Sequence, residues 1–554
     1  MHIHPDAKPK GCRPIRDWMR LFAEPQGKLR RRLIAIYGDD PGRLEQRYRI
    51  WRVALEHAAR VHGENTEVFL ARAAGRINLM GMHIDHRGGA VNPISIGDVI
   101  FAVKPRKDDV VTLHNSSPQF PPRQFSIREE LPHDKIEDWD LWTQQQFAQR
   151  KAAGTSSDWS NYVRSAVLYL QALLTGPKGN FDPALRGFDM LVHGALPIAA
   201  GLSSSSSIVV GSADAILNVN GIELTQSEFI DLCATGEWFI GTRGGGGDHA
   251  AIKYDAYGHI AHLGSHPLTI ALEPFPESHA VVLCDSRKEA KKSAGVRDFF
   301  NERVACYEFG FMLLKKRWPQ YAPKMERLRD LQPQLIGLDD ATVLEIIKSL
   351  PDPISPKELL SELADQSERV KKTLSTHAEP SYGYQVRRCC LYGVAECLRS
   401  EMAAQRLKKG NVKGFGELID ISHEGDRISR LENGRRVRID NYLSDTDYDR
   451  LIADLRSGNK KRAAAAALYR QPGGYNASCE ELDEMVDIAR KVSGVAGAGL
   501  VGAGLGGCII VLVEKAKANN VIARMEKEYY GPHGLEPSAR VCFPTGGAGV
   551  LELD

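Results

Sequence analysis

The sequence predicts a mixed helix-and-strand protein spread over more than one domain, and three observations carry that reading. Leu44, Tyr48, Trp51, Leu55 and Ala58 recur at steps of three or four, the spacing of one buried helical face. Short apolar runs at 68–73, 99–103 and 508–513 are bounded by glycine-marked turns and read as strands. The chain has 554 residues, enough for about two to four domains.

Composition narrows the function. A hydrophobic share of 43% and a charged share of 26% are those of an ordinary soluble globular protein. A net charge of +2 gives no electrostatic case for nucleic acid or an anionic membrane. The ten cysteines are scattered, with Cys389-Cys390 the only close pair and no Cys-x-x-Cys, so neither a disulfide framework nor a zinc site is suggested. No signal-peptide core opens the chain and no run of about 18 apolar residues interrupts it. A reducing, cytoplasmic setting is the expectation.

Taken in order, residues 1–64 read as a polar leader followed by amphipathic helix, a helical extension packed on the body. The basic cluster 28–32 reads as a solvated helix face. After the strand at 68–73, turn glycines at 75, 81, 88 and 89 separate short apolar runs. Between them lie Arg76, Asn78, His83, Asp85, His86 and Arg87, six polar residues in twelve positions. Singly, each is an ordinary loop residue; crowded between buried strands, they suggest a site. His83 and His86 have no Cys, and no carboxylate beyond Asp85, at ligand spacing, which argues against zinc.

The stretch 194–210, GALPIAAGLSSSSSIVV, is the centre of the chain's chemistry. A Gly- and Ser-rich loop that opens directly into a helix presents unpaired N–H groups at the positive end of the helix dipole. That is a phosphate cradle. A flexible linker would not run at once into an apolar segment with Ala213, Ala215 and Leu217. It is not a Walker loop, because no Gly-Lys-Ser/Thr follows the glycines. Farther on, Asp248 follows the four glycines 244–247; on the residues alone it reads as a helix N-cap. A third loop, with Gly502, Gly504, Gly506 and Gly507 before the strand at 508–513, allows close approach of backbone or ligand.

These stretches resemble the galactokinases, members of the GHMP family of small-molecule kinases. Residues 74–93 look like the first galactokinase signature, 194–207 like the second, and 497–513 like the C-terminal glycine loop and strand. Weaker echoes at 159–163, 299–304 and 475–483 lie between, in order, so the resemblance runs from about 66 to 554. It implies an α+β fold of two domains with the active site in the cleft between them. The implied division is an N-terminal α+β domain over 65–275 and a C-terminal α+β domain over 276–554. Segments 318–380 and 427–472 are longer than in typical relatives: Pro-marked helices in the first, an Arg-rich stretch with a helical Ala run in the second.

The resemblance also implies roles. Asp248 becomes the active-site aspartate and Arg76 its partner, in direct phosphoryl transfer from ATP to a sugar's anomeric hydroxyl. Gly201, Leu202, Ser203, Ser204, Ser205, Ser206 and Gly504 would bind ATP and its phosphates. Met82, His83, Asp85, Arg243, Gly245 and Phe300 would meet the sugar. Ser205 and a carboxylate from the helix before Asp248 would hold Mg²⁺. Relatives carry that carboxylate where this chain has Gly236; Glu237 is in register only if the glycine loop is one residue shorter, and otherwise is turned by about 100°.

The chain departs from galactose-acting members at two sugar positions. Met82 stands where they have a glutamate that bonds the hydroxyl on the sixth carbon, and a thioether is a weak acceptor. Phe300 stands at a tyrosine. Arg243 has no counterpart in most galactokinases, and 83–89 with Arg243 is similar to galacturonokinases. A glutamate beside a uronate would repel it by up to about 4 kcal/mol, whereas an arginine would bind it in a fork. The sugar is therefore galactose or its uronic acid, galacturonate. The alternative to an enzyme is a galactokinase-like regulator that binds sugar and ATP without turnover.

Overall fold

Strand Glu67–Asn78 is the centre of the first half of the computed structural model, which describes residues 1–4, 7–176, 179, 181, 184–196, 202–288 and 294–553. Side chains alternate across a strand, so Phe69, Ala71 and Ala73 enter one core while Val68 and Leu70 enter another. That two-sided burial is why the strand reads as a nearly continuous apolar run. Its sheet runs, in order, Gly549–Val550, Glu67–Asn78, Pro93–Pro105, Phe188–Gly194, Val110–Asn115 and Arg123–Ser126, with Arg13–Pro14 also paired to Glu67–Asn78.

Helices Ser160–Leu173 and Ser204–Asn220 cover one face of this sheet. Helices Ile15–Ala23, Gly27–Tyr37 and Pro41–His62 cover the other. The predicted stripe is buried throughout, and Phe22 stacks on Trp51 with ring centroids 5.2 Å apart. The N-terminal helices are thus a structural layer. They are tied in by a buried charge: Tyr37 and Arg47 donate to Asp98 at 2.7 and 2.9 Å, and Arg72 does so at 2.5 Å.

The second half carries a four-stranded antiparallel sheet in the order Val495–Val501, Cys508–Glu514, His279–Asp285, Ala539–Cys542. Cys508–Glu514 is internal, with Ile509, Val511 and Val513 in one core and Cys508, Ile510 and Leu512 in another. A further helical core joins Ala294–Arg317 and Val386–Lys408 to both long segments. In the first, prolines open helices Pro333–Ile336 and Pro356–Glu362, as their fixed φ favours. In the second, Lys460–Ala466 is the expected Ala-rich helix. Before it comes a hairpin, Ser429–Glu432 with Arg435–Arg438, not anticipated from the charge pattern. Its turn is Asn433-Gly434, both at positive φ, a pair favoured in two-residue hairpins. The chain's last strand, Gly549–Val550, crosses back to the first sheet and leaves the C-terminal one. Among the described residues no helix is long and apolar enough to cross a membrane.

Candidate active site

Strand Glu67–Asn78 slips register between Ala73 and Gly75 as it leaves the core. At Gly75 a Cβ would lie 2.7 Å from the Leu202 carbonyl oxygen, so glycine lets the serine loop close on the strand. The next residue, Arg76, donates its backbone N–H to that same carbonyl at 3.0 Å. Its side chain reaches the first turn of helix Gly247–Tyr254 and forks onto Asp248, Nε to Oδ1 at 2.7 Å and Nη2 to Oδ2 at 2.8 Å. Ser203, in the left-handed region at φ +52°, donates its hydroxyl to Asp248 Oδ2 at 2.6 Å. Burial works against charge on Asp248. The Arg76 charge and the bonds from Arg76 and Ser203 outweigh it, holding the carboxyl below its usual range.

Asp248 opens onto a cavity of about 250 Å³. Arg76 and Asn78 line it from the strand, Met82, His83, Asp85 and His86 from the following loop, and Phe300 from helix Ala294–Arg317. Gly502 and Ala503 close it from the second half. Six of the residues given a catalytic or sugar-binding role in the sequence thus meet in one place: Arg76, Met82, His83, Asp85, Asp248 and Phe300. Burial opposes the charge of Asp85, but the neighbouring His86, Nδ1 to Oδ1 at 3.2 Å, helps bring its pKa down to about 2. Burial keeps the His86 imidazole below its usual range despite Asp85. His83, at φ +61°, stacks on Tyr475 at 4.3 Å, and its Nε2 lies 3.4 Å from Asp426 Oδ1 without the alignment of a hydrogen bond.

Other expected residues sit elsewhere. Arg243 does not line the cavity: Nε donates to Asp140 Oδ1 at 2.6 Å, Nη2 to Thr143 Oγ1 at 3.2 Å, and the guanidinium packs over Trp238. The first turn of helix Trp139–Ala152 supplies the aspartate that captures it. Gly245 is exposed, with nothing within 4 Å of where a Cβ would stand. Gly504, at φ +79°, is a packing glycine, since a Cβ would meet the Ala477 carbonyl oxygen at 1.9 Å; its neighbours Gly502 and Ala503 face the cavity instead. Leu202 is buried and contributes its carbonyl to Arg76, and the Ser203 hydroxyl is used on Asp248. Ser204, Ser205 and Ser206 form the first turn of helix Ser204–Asn220, whose leading N–H groups are unpaired by helix geometry. Gly201, with 197–200, lies outside the described residues.

Gly236 is buried, and a Cβ there would lie 2.7 Å from the Ser165 carbonyl oxygen. Glu237 opens the turn Glu237–Ile240 and sets Oε2 3.0 Å from Nε2 of His249, the residue after Asp248, without a hydrogen bond's alignment. Asn78, His86, Gly502 and Ala503 were given no role in the sequence. Asn78 and His86 belonged to the crowded polar group, and Gly502 to the glycine loop, so these three carried a signal. Asn78 is held by the loop itself, its Nδ2 donating to the Gly81 carbonyl at 3.2 Å and its Oδ1 accepting from Asn92 N–H at 3.0 Å.

The models of known families match this framework. Residues 161–256 match the GHMP kinases N terminal domain, 451–531 the GHMP kinases C terminal domain, and 56–105 the galactokinase galactose-binding signature. The last covers Arg76 and the cavity loop, and the first covers the serine helix and Asp248. Both GHMP kinase domain models and the galactokinase signature thus match this one chain, in non-overlapping segments. The chain is 26% identical over 488 residues to a galactokinase of Dictyostelium discoideum, covering 86% of this chain and 87% of that one. It is 24% identical over 482 residues to a galactokinase of Roseiflexus, covering 87% and 92%. Its fold is shared with a Lactococcus lactis galactokinase complexed with galactose, at a TM-score of 0.59 and 22% identity, covering 90% of this chain and 98% of that one.

Proposed function

We propose that this protein is a sugar kinase of the GHMP type, which transfers the γ-phosphate of ATP to the anomeric hydroxyl of galactose or a close neutral relative. The observation that carries the reading is Asp248, ionised, gripped by Arg76 and Ser203, and open to a cavity of monosaccharide scale. A sugar hydroxyl in the cavity would donate its hydrogen bond to Asp248. A carboxylate with a low pKa is a weak base toward a free hydroxyl. In a loose phosphoryl-transfer transition state, however, the hydroxyl gives up its proton only as its bond to phosphorus forms. Asp248 therefore orients the nucleophile first and takes the proton late. Arg76 keeps it ionised for both tasks.

ATP phosphates would meet the unpaired N–H groups of the turn Ser204 to Ser206. Ser205 and Glu237 are the residues that would hold Mg²⁺. One hydroxyl and one carboxylate suit an ion that keeps phosphate oxygens and water as its other ligands. When bound, it would offset charge on the phosphates.

The charges favour a neutral sugar over galacturonate. Among the described lining residues, Asp85 and Asp248 are anionic, and the Arg76 guanidinium is engaged with Asp248. Arg243, the motive for a uronate, is bonded to Asp140. The Arg76–Asp248 pair likewise favours an enzyme over a binding-only regulator. ADP release with Mg·ATP against galactose, galacturonate, glucuronate, fucose and arabinose tests the reading, with galactose expected to lead. A galacturonate preference would overturn the choice of sugar, and silence with ATP still bound would overturn the kinase.

A further inference from the structure

The cavity loop is held from the other half of the molecule. Residues 79–92 leave strand Glu67–Asn78 and return as Pro93–Pro105. Facing them, helix Val386–Lys408 presents Tyr392, Glu396 and Ser400, successive turns of one helical face. Glu396 is fully buried, as is Arg399, whose Nε donates to Glu396 Oε2 at 2.7 Å. The other oxygen, Oε1, accepts three more hydrogen bonds: from the backbone N–H of Gly81 at 3.0 Å, the N–H of Met82 at 3.0 Å and Ser422 Oγ at 2.9 Å. One turn on, Ser400 Oγ donates to the Ala90 carbonyl and accepts from Asn92 Nδ2 at 2.8 Å. One turn back, Tyr392 donates to Asp426, the carboxylate behind His83.

A buried carboxylate is costly unless its lone pairs are satisfied. Arg399 satisfies one oxygen of Glu396, and the other is committed to two successive amides of the turn that starts the cavity loop. Gly81, at φ +92°, is packed so closely that a Cβ would meet the Ala90 carbonyl oxygen at 2.4 Å, so the turn has little room to shift and still pair. The directions in which Met82 and His83 leave the backbone follow from those two amides.

We propose that Glu396 is a positioning residue for the sugar site: it pins the backbone at Gly81 and Met82 so that Met82, His83 and Asp85 face the cavity. The sugar as ligand rests on the proposed kinase function; the anchoring contact does not. Glu396→Met alone would leave Arg399 as an unpaired buried charge, so the test is the double variant Glu396→Met/Arg399→Met, an apolar pair of similar length. It removes the acceptor of both amides and leaves no orphaned charge.

The double variant also strips the Tyr469 and Gln471 carbonyls of their Arg399 donor, so its thermal midpoint should fall, and its kinetics are read at a temperature where it stays folded. Its KM for galactose should rise about tenfold or more, while the KM for ATP stays within about twofold, as loss of alignment at one substrate predicts. Amide hydrogen exchange at Gly81 and Met82 should quicken about tenfold. Parental sugar KM with parental exchange in the folded variant would overturn the proposal, and so would a KM rise shared equally by sugar and ATP. If the double variant does not fold, Glu396→Gln/Arg399→Gln, which likewise leaves no orphaned charge, carries the same comparison. The amide oxygen at position 396 is a weaker acceptor, so the same split in smaller measure is expected, and its absence counts against the anchor. A parent silent on every sugar would defeat the kinase reading, and exchange at residues 81 and 82 would still decide for or against Glu396.

Discussion

Arg76 and Asp248 meet across 172 positions of sequence through two parallel hydrogen bonds, of 2.7 and 2.8 Å. The fork fixes the plane of the carboxylate, and Ser203 fixes one of its oxygens from a third segment. Asp248→Asn keeps the shape but removes the charge, turns one acceptor into a donor and breaks the fork. Turnover should fall by about 10²–10⁴-fold, with the ATP dissociation constant nearly unchanged because the serine helix is untouched. Turnover within about tenfold of the parent would sink the assignment of Asp248. Arg76→Lys should also lose rate, since a point charge cannot reproduce the fork.

The direction of the carboxyl shifts fixes the acid behaviour. A carboxyl with a depressed folded pKa contributes stability above its unfolded value, and that contribution is lost as pH falls through the folded one. For Asp85 the window runs from 3.8 down to about 2, and Asp248 is likewise held below its ordinary range. Burial keeps the His86 imidazole below its usual value. With both carboxyls depressed, the carboxyl limb of kcat/KM for sugar is expected below about pH 4, where Asp248 and Asp85 are lost. A carboxyl-type limb centred near pH 6 to 7, abolished by Asp248→Asn, would show Asp248 titrating as a raised base.

Met82 makes a specific prediction about the sixth carbon of the sugar. It is 6% exposed and lines the cavity, with its sulfur 3.6 Å from Asn78 Nδ2. A thioether offers a 6-hydroxyl little, so the parent should distinguish D-galactose poorly from its 6-deoxy analogue, D-fucose. Met82→Gln adds an acceptor of similar volume without a buried charge. It should raise the galactose-to-fucose ratio of kcat/KM by about tenfold, the worth of one added hydrogen bond. An unchanged ratio would place the sixth carbon away from residue 82.

What was legible in the sequence was periodic or crowded. The stripe from Leu44 to Ala58, the two-sided strand around Phe69 and the strand at Cys508 follow from local spacing, and packing then enforces them. The polar cluster from Arg76 to His86 was visible because charge is dense where apolar runs surround it. Contacts set by distant partners were not legible. Arg243 lies 103 positions from the Asp140 that captures it, and Glu396 lies 314 positions from the Met82 amide it holds. Gly504 reads like any loop glycine until the Ala477 carbonyl is found against it. The hairpin at Asn433-Gly434 did carry a local signal, outweighed by the arginines around it.

Arg72 links the N-terminal helices to the first sheet, and its replacement tests whether those helices are integral. The side chain is 2% exposed. Nε bonds Asp98, Nη2 donates to the Gly97 carbonyl and Thr545 Oγ1, each at 2.8 Å, and Nη1 reaches the carbonyls of Gly546 and Gly547 near the chain's end. Asp98 in turn accepts from Tyr37 and Arg47 on the covering helices. Arg72→Met removes the central cation and strips donors from several buried oxygens. It should cost about 3–5 kcal/mol, the usual penalty for breaking one side of a buried ion pair, read as a lower urea midpoint with an unchanged slope. Arg72→Met/Asp98→Asn, which also removes the charge of the carboxylate that has lost its buried partner Arg72, should recover part of the loss. A single-variant cost below about 1 kcal/mol would mean that Arg47 and Tyr37 alone satisfy Asp98 and that the helical layer is held by its apolar face.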